Sequence, residues 1–312
     1  MQLNKYKVVV ILVNYNSFED TRACLESIKY TEGELPYVVV VDNKSTESVD
    51  LNELYRQYDL LHLIFNSENL GFGKGNNIGI NWAIENVDFE YLVLLNNDTI
   101  IECSTLPKLV SSFSEDQNIG ITTGKIFYES QRDLIWYGGG EINLRKGWPK
   151  ITDFRQKESS DGAGLSRYVT FASGCLMMFT RESIQKLSGF DEDFFMYCED
   201  LELCLRAGRM GMKIYYNSDA VLYHKVQGSF GNKENRITGM RIANPNLDFL
   251  FFHMKSNQWI AMKKNLFIKD FVVFNLFFWL EYVYVIFKFT FKGRYDFYKV
   301  GLKTLIQILK YS

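Results

Sequence analysis

Apolar runs, each closed by a short polar cluster, organise the first third of the chain. Lys7 to Val13 is an almost unbroken β-branched run, the pattern of a strand buried on both faces. Asn14-Tyr15-Asn16-Ser17 follows it, a turn able to cap a helix starting near Phe18. A second run, Tyr37 to Val41, stops at Asp42-Asn43-Lys44-Ser45. The shorter strand Leu61 to Phe65 leads into a Gly-rich stretch, Asn69 to Gly79, which reads as a loop before a helix reaching about Asn86. A fourth run, Tyr91 to Leu95, stops at Asn96-Asn97-Asp98. Strands alternating with helices at this spacing predict βαβ units and a mostly parallel sheet with flanking helices. Ligands of such sheets bind beyond the carboxyl ends of the strands, where these polar clusters stand.

The pattern blurs from Gly120 to about Gly164 into short strands and Gly- and Trp-rich loops. Val169 to Thr180 then reads as one strand, and Tyr197-Cys198-Glu199-Asp200 opens a helix that ends near Gly208. Lys213 to Tyr216 is another strand, a polar loop runs from His224 to about Asn244, and the remainder reads as helical. Three stretches follow: 1–119, carrying the strand-end clusters; 120–245, the rest of the α/β domain; and 246–312, a helical extension.

Composition changes the picture mainly in that extension. The chain has 312 residues, 47% of them hydrophobic, and only 4 prolines, so a disordered or fibrous protein is excluded. A net charge of -2 argues against a nucleic-acid partner. From Leu250 onward, however, ten basic residues face three acidic ones, so the tail is near +7 and the rest near -9. Phe271 to Phe287 is an aromatic run of 17 residues interrupted by Glu281, short of the roughly 20 that cross a bilayer. Leu302, Leu305, Ile306 and Leu309 form a helical stripe flanked by Lys299, Lys303 and Lys310. These features predict peripheral attachment to a membrane surface, with packing against the domain or a second copy in a homo-oligomer as the alternative. The 5 cysteines include no C-x-x-C pair, and the chain enters its first strand without a signal-peptide pattern. Reduced thiols and a cytoplasmic location on the inner face of the membrane are expected.

Several clusters carry candidate chemistry. Asn96-Asn97-Asp98 at a strand end can hold a hard divalent cation on a diphosphate, or can simply be a turn. Asp42 can accept a hydrogen bond from a nucleobase or ribose, or cap its own turn. The glycines of Asn69-Leu70-Gly71-Phe72-Gly73-Lys74-Gly75-Asn76-Asn77 permit close backbone approach to a ligand, but match neither a P-loop nor G-x-G-x-x-G. Glu199 and Asp200 either answer the helix dipole or form a general base with a supporting acid. His224, between a strand and a polar loop, can complete a metal site with Asp98 or serve structure alone.

Taken in order, Val-Asn-Tyr-Asn-Ser (13–17), Val-Asp-Asn-Lys-Ser (41–45), the 69–77 segment, Leu-Leu-Asn-Asn-Asp (94–98), Ser-Gly-Cys (173–175), Gly-Phe-Asp-Glu (189–192) and Phe-Phe-Met-Tyr-Cys-Glu-Asp-Leu-Glu-Leu-Cys-Leu-Arg (194–206) resemble glycosyltransferases of family 2. The likeness covers about residues 7–260 and is nearest the rhamnosyltransferase-like branch. It implies the GT-A fold and inverting transfer from a nucleotide-diphosphate sugar (dTDP-rhamnose or a UDP-sugar) to a glycan or lipid-linked acceptor in surface polysaccharide synthesis. It implies nucleotide contacts at Val13, Asn14, Asp42, Asn69, Gly71 and Asn76, with Asn96 and Asn97 at the donor. It implies Mg²⁺ or Mn²⁺ at Asp98 and His224, and Asp200 as base beside Glu199. The family's D-x-D element is here Asn96-Asn97-Asp98, so its first carboxylate is missing. A sugar nucleotidyltransferase and a non-catalytic sugar-nucleotide or membrane scaffold are the competing readings. The first would need a basic triphosphate loop after the first strand, where Asn14-Tyr15-Asn16-Ser17 stands.

Overall fold

The computed structural model describes residues 5–46, 51–56, 58–226 and 246–311. In chain order the first stretch holds β1 (Lys5–Asn14), α1 (Phe18–Lys29), β2 (Tyr37–Asp42), a 3-10 turn (Leu51–Arg56), β3 (Leu61–Phe65), α2 (Gly71–Asn86), β4 (Asp88–Asn96), β5 (Thr99–Ile101) and α3 (Thr105–Ser112). Then come β6 (Ile119–Tyr128), β7 (Gln131–Tyr137), β8 (Gly140–Asn143), β9 (Trp148–Ile151), β10 (Arg167–Val169), β11 (Leu176–Thr180), α4 (Arg181–Leu187), α5 (Glu199–Arg209) and β12 (Lys213–His224). Three helices close the chain: α6 (Leu247–Asn265), α7 (Ile268–Phe291) and α8 (Phe297–Leu309).

One sheet runs β10-β12-β6-β11-β4-β1-β2-β3, with β5 on β12 and β7 on β6, while β8 and β9 form a separate hairpin. Pairing is parallel among β1, β2, β3 and β4, and again between β6 and β12. β11 enters antiparallel between β4 and β6, which makes the α/β sheet mixed. The β-branched runs are central because helices cover both faces: Val9 to Leu12 and Val38 to Val41 are fully buried.

Three local expectations are corrected. The Gly-rich stretch is the start of α2, not a loop. Its glycines let the helix lie directly on the sheet. A Cβ on Gly79 would stand 2.5 Å from Ile11 Cγ2, and one on Gly75 would stand 3.1 Å from Val13 Cγ1. Glycine inside a helix costs about 1 kcal/mol against alanine, and here that cost permits the close approach. The single strand expected over Val169–Thr180 is two: β10 pairs with β12, and the chain then crosses at Ser173-Gly174-Cys175 to pair β11 with β4. The strand expected to end at Tyr216 continues to His224, alternating buried and half-exposed residues. Most of the polar loop expected after it, residues 227–245, lies outside the described residues.

The C-terminal helices are two-faced. Phe274, Phe278, Tyr282, Val285, Phe289 and Phe297 are buried in the same apolar core as the sheet. The outer face of α7 carries Ile268, Val272, Leu276, Leu280, Tyr284 and Phe291, all exposed, and α8 adds Leu302, Ile306 and Leu309. The aromatic run lies inside a longer element than its 17 residues suggested: α7 is a continuous helix of 24 residues, long and apolar enough to cross a membrane by length and composition. Glu281 is accommodated because it pairs with Lys255 of α6 at 3.0 Å.

Candidate active site

The polar clusters converge at one edge of the sheet. At the ends of β1 and β2, the buried Asn14 donates from Nδ2 to Asp42 Oδ1 at 2.8 Å and accepts from Thr21 Oγ1 at 2.9 Å. Asp42 also accepts from the Ser45 backbone N–H and hydroxyl, at 3.0 and 2.5 Å. Its carboxylate therefore pins the two strand ends together, with Oδ2 keeping capacity for a further donor. Val13 is half-buried and lies under Gly75. Next to them Asn43, passed over in the sequence, is a hub. Its Nδ2 donates to Asn69 Oδ1 and Gly71 O, both at 3.0 Å, and its Oδ1 accepts from Asn66 Nδ2 and the Leu70 N–H. Gly71 has φ +81°, and a Cβ there would meet Phe195 O at 2.0 Å, so only glycine fits. Asn76 turns inward instead, donating to Phe72 O at 2.9 Å.

The Asn96-Asn97-Asp98 turn divides by role. Asn97 Nδ2 donates to Ser17 Oγ and Thr21 Oγ1 at 2.7 and 2.8 Å, tying the turn to α1. Asn96 binds Cys175 O through its backbone N–H at 3.0 Å, while its side-chain Oδ1 is buried without a partner. Asp98 and His224 are both buried, and Oδ1 of one faces Nε2 of the other at 3.0 Å. Burial alone would lower the imidazole's proton affinity, but Cys175 and Asp98 beside it hold it raised. This pair fits a shared divalent cation. Two ligands each about 2.1 Å from one ion, at a right angle, stand about 3 Å apart, the separation of this pair. Among the described residues no group of three or more His, Cys, Asp or Glu side chains forms a cation cage. Oxygens from outside these side chains, water among them, would have to complete the coordination, the habit of Mg²⁺. Trp136, also missed, stands edge-on to the His224 ring at 4.7 Å.

Glu199 and Asp200 open α5 on the same edge. Asp200 Oδ2 accepts from the Gly174 N–H at 3.2 Å and Oδ1 from the Leu201 N–H at 2.8 Å. Burial raises both carboxyls above the usual range, and the charge of Asp200 lifts Glu199 further. Backbone donors favour the ionised form of Asp200, whereas Glu199 Oε2 is buried with no partner. Glu199 is thus the proton holder of the pair and Asp200 the carboxylate.

Among the described residues five buried side-chain polar atoms lack any partner, and three of them are Asn96 Oδ1, Glu199 Oε2 and His224 Nδ1. Orphaned buried atoms are rare in folded proteins, so their concentration here marks a site shaped for something other than itself. The structure brings Asn96, Asp98, His224, Glu199 and Asp200 around the Ser173-Gly174-Cys175 crossing, joined through Thr21 and Asn97 to Asn14 and Asp42. Asn97 spends both amide hydrogens on α1, and Asn76 spends one on the Phe72 carbonyl of its own helix.

Residues 6–238 match the family described as Glycosyltransferase like family 2. Rhamnosyltransferase WbbL of Escherichia coli (strain K12) is 26% identical over 221 residues, covering 67% of this chain and 80% of its own length. The N-acetylglucosaminyl-diphospho-decaprenol L-rhamnosyltransferase of Mycobacterium tuberculosis H37Rv is 26% identical over 240 residues, 70% of this chain and 76% of its own. Among solved structures, a mannosyltransferase from Pyrobaculum calidifontis in complex with GDP-Man and Mn²⁺ shares 16% identity and a TM-score of 0.56. That match covers 98% of this chain and 76% of the other, and is a likeness of fold.

Proposed function

Because the chain belongs to the family described as Glycosyltransferase like family 2, we propose that it transfers a sugar, with inversion, from a nucleotide diphosphate to a hydroxyl of a glycan or lipid-linked acceptor. The rhamnosyltransferases among its relatives, one of them named as a dTDP-rhamnosyl transferase, favour dTDP-rhamnose as donor, with a UDP-sugar next; the setting we infer is the building of a surface polysaccharide. The observation that carries this reading is the trio of unpartnered buried atoms around Asp98, Asp200 and His224. Residues 1–119 supply the donor side, 120–245 most of the acceptor side, and 246–312 the membrane-facing side.

Asn14, Asp42, Asn69 and Gly71 hold the nucleotide beyond the ends of β1 and β2. Asp98 and His224 would hold Mg²⁺ or Mn²⁺, and the bound ion would supply positive charge to offset that of the diphosphate leaving group. The Gly174 and Leu201 N–H groups keep Asp200 ionised and aimed, and it removes the proton from the acceptor hydroxyl. A single base suffices, because direct displacement forms no glycosyl-enzyme intermediate. The raised proton affinity that burial gives Asp200 makes it a stronger base than an exposed carboxylate.

The outer face of α7 and α8 suits attachment to the inner membrane surface: apolar side chains face out, with Lys269, Lys288, Lys299 and Lys303 exposed among and beside them. Joining of two copies through the same face is the competing occupancy. Nucleotide release measured over dTDP-, UDP- and GDP-sugars, with and without Mn²⁺, tests the activity. Asp200→Asn should bind donor normally and lose about 100-fold or more in transfer. Retention of a tenth of wild-type transfer would remove Asp200 as the base, and no release from any donor would defeat the reading as a whole.

A further inference from the structure

The backbone just before the proposed base is unusual. Tyr197 and Cys198, neither of them glycine, have φ values of +69° and +65°, in the left-handed region that L side chains rarely adopt. Such residues persist when their surroundings over-determine them, and they gather at functional sites. Here the Cys198 carbonyl accepts from the Glu202 N–H at 2.9 Å and so begins the first turn of α5. The left-handed pair therefore sets where Asp200 stands relative to the Gly174 N–H.

Two elements hold this pair from opposite sides. On the donor side, Phe195 O accepts from the Phe72 N–H at 3.0 Å, against Gly71. From behind, α6 supplies Asn257, which is buried, and whose Nδ2 donates to Met196 O at 3.0 Å and Tyr197 O at 2.9 Å. Both hydrogens of one amide are thus spent on the two carbonyls immediately before the left-handed residues. The neighbouring Met254 carbonyl lies 3.8 Å from Cys198 Sγ. The same helix carries Lys255, Gln258 and Trp259, whose bonds run outward to Glu281, to the β8–β9 turn at Lys146 and to Asn275.

We propose that Asn257 is a positioning residue for transfer: its amide, on the Met196 and Tyr197 carbonyls, holds Tyr197 and Cys198 in the left-handed conformation that aims Asp200. The C-terminal stretch is in this way part of the catalytic apparatus as well as a membrane-facing surface. This rests on the reading of Asp200 as the base.

The test uses the full-length protein and a nucleotide-release assay with the donor accepted by wild type. Asn257→Ala should lower kcat at least tenfold, since misplacing a catalytic group by about 1 Å can cost 100-fold. Donor KM should stay within about twofold, because the nucleotide contacts lie on β1, β2 and α2. The acid limb of the pH–rate profile should also move, because the Asp200 environment changes. Adding Cys198→Gly to Asn257→Ala should restore at least threefold of the lost kcat, since glycine adopts φ near +65° without the clamp. A purely structural role would lower the melting temperature without that split or rescue. Where Asn257→Ala melts at the assay temperature, Asn257→Ser is measured in its place, and the same split with a smaller drop is expected. Unchanged kcat, or a loss matched by the folded fraction with no rescue, overturns the proposal. Asp200→Asn run in parallel separates the two failures: an active Asp200→Asn removes the base assignment, whereas an inactive one beside an unaffected Asn257→Ala removes only the positioning role.

Discussion

Replacing Glu281 by Gln should destabilise the protein far more than replacing Lys255 by Met, although Lys255 is the more buried partner. Lys255 is 2% exposed, and its Nζ lies 3.0 Å from Glu281 Oε2 and 3.1 Å from Gln258 Oε1. The rings of Trp148 and Phe278 stand 5.5 and 5.6 Å away. Burial pushes its ammonium pKa down, and Glu281 pulls it back up. Removing one partner of a buried pair typically costs about 3–5 kcal/mol, because the other charge is left uncompensated. The side chain of Glu281 is 46% exposed, and Gln258 and the two rings still face the ammonium, so about 2–3 kcal/mol is expected for Glu281→Gln. Lys255→Met removes both the charge and its desolvation cost at similar volume, and should lie within about 1 kcal/mol of wild type. In the double variant the Glu281 change should add almost nothing, a coupling of about 2 kcal/mol. Urea unfolding of the full-length chain at pH 7 measures all three. A depressed folded-state Lys pKa means that the charged form is the disfavoured one. The Glu281→Gln deficit should therefore be complete at neutral pH and shrink as pH rises through that pKa. The reasoning fails if Lys255→Met is the more damaging single change, or if the two losses add.

Other outcomes follow from the site and the tail. Asp98→Ala should weaken Mn²⁺-dependent donor binding at least tenfold more than Asn96→Ala, because a carboxylate contributes charge that an amide oxygen lacks; equal effects by calorimetry would place the cation elsewhere. Glu199 is raised chiefly by burial, so it holds its proton in the folded state. Its stabilising contribution is full below the ordinary carboxyl pKa and is lost as pH rises from there to about 8, so Glu199→Gln should match wild type near pH 4 and melt higher in alkaline buffer. Parallel melting curves across pH would refute that. Attachment to anionic vesicles should weaken in high salt without vanishing, since lysine attraction is screened at about 1 kcal/mol per charge while apolar burial is not. Binding to neither anionic nor neutral vesicles, with a dimer in solution, would assign the face to a second copy.

Period and polarity along the chain were enough to announce the parallel part of the sheet. β-branched runs closed by polar clusters produce buried strands with their chemistry at the carboxyl ends, and β1, β2, β3 and β4 lie where that pattern puts them. The candidate residues were legible for the same reason, since Asp42, Asp98, Glu199 and Asp200 each interrupt an apolar context at an element's end. What the sequence could not carry was distance between elements. The glycines of residues 71–79 read as a loop because helix propensity is local, and only the Ile11 and Val13 side chains beneath them require a helix without Cβ atoms. Glu281 read as a charge interrupting the aromatic run because its partner, Lys255, is 26 residues earlier and buried. Asn43 and Asn257 looked like ordinary polar residues, and their roles exist only because four groups of the 66–71 segment in one case and two consecutive backbone carbonyls in the other meet at one amide. Hydrophobic period determines what lies inside an element. Which buried polar group finds a partner, and which is left unpartnered at the site, is decided only when those elements pack.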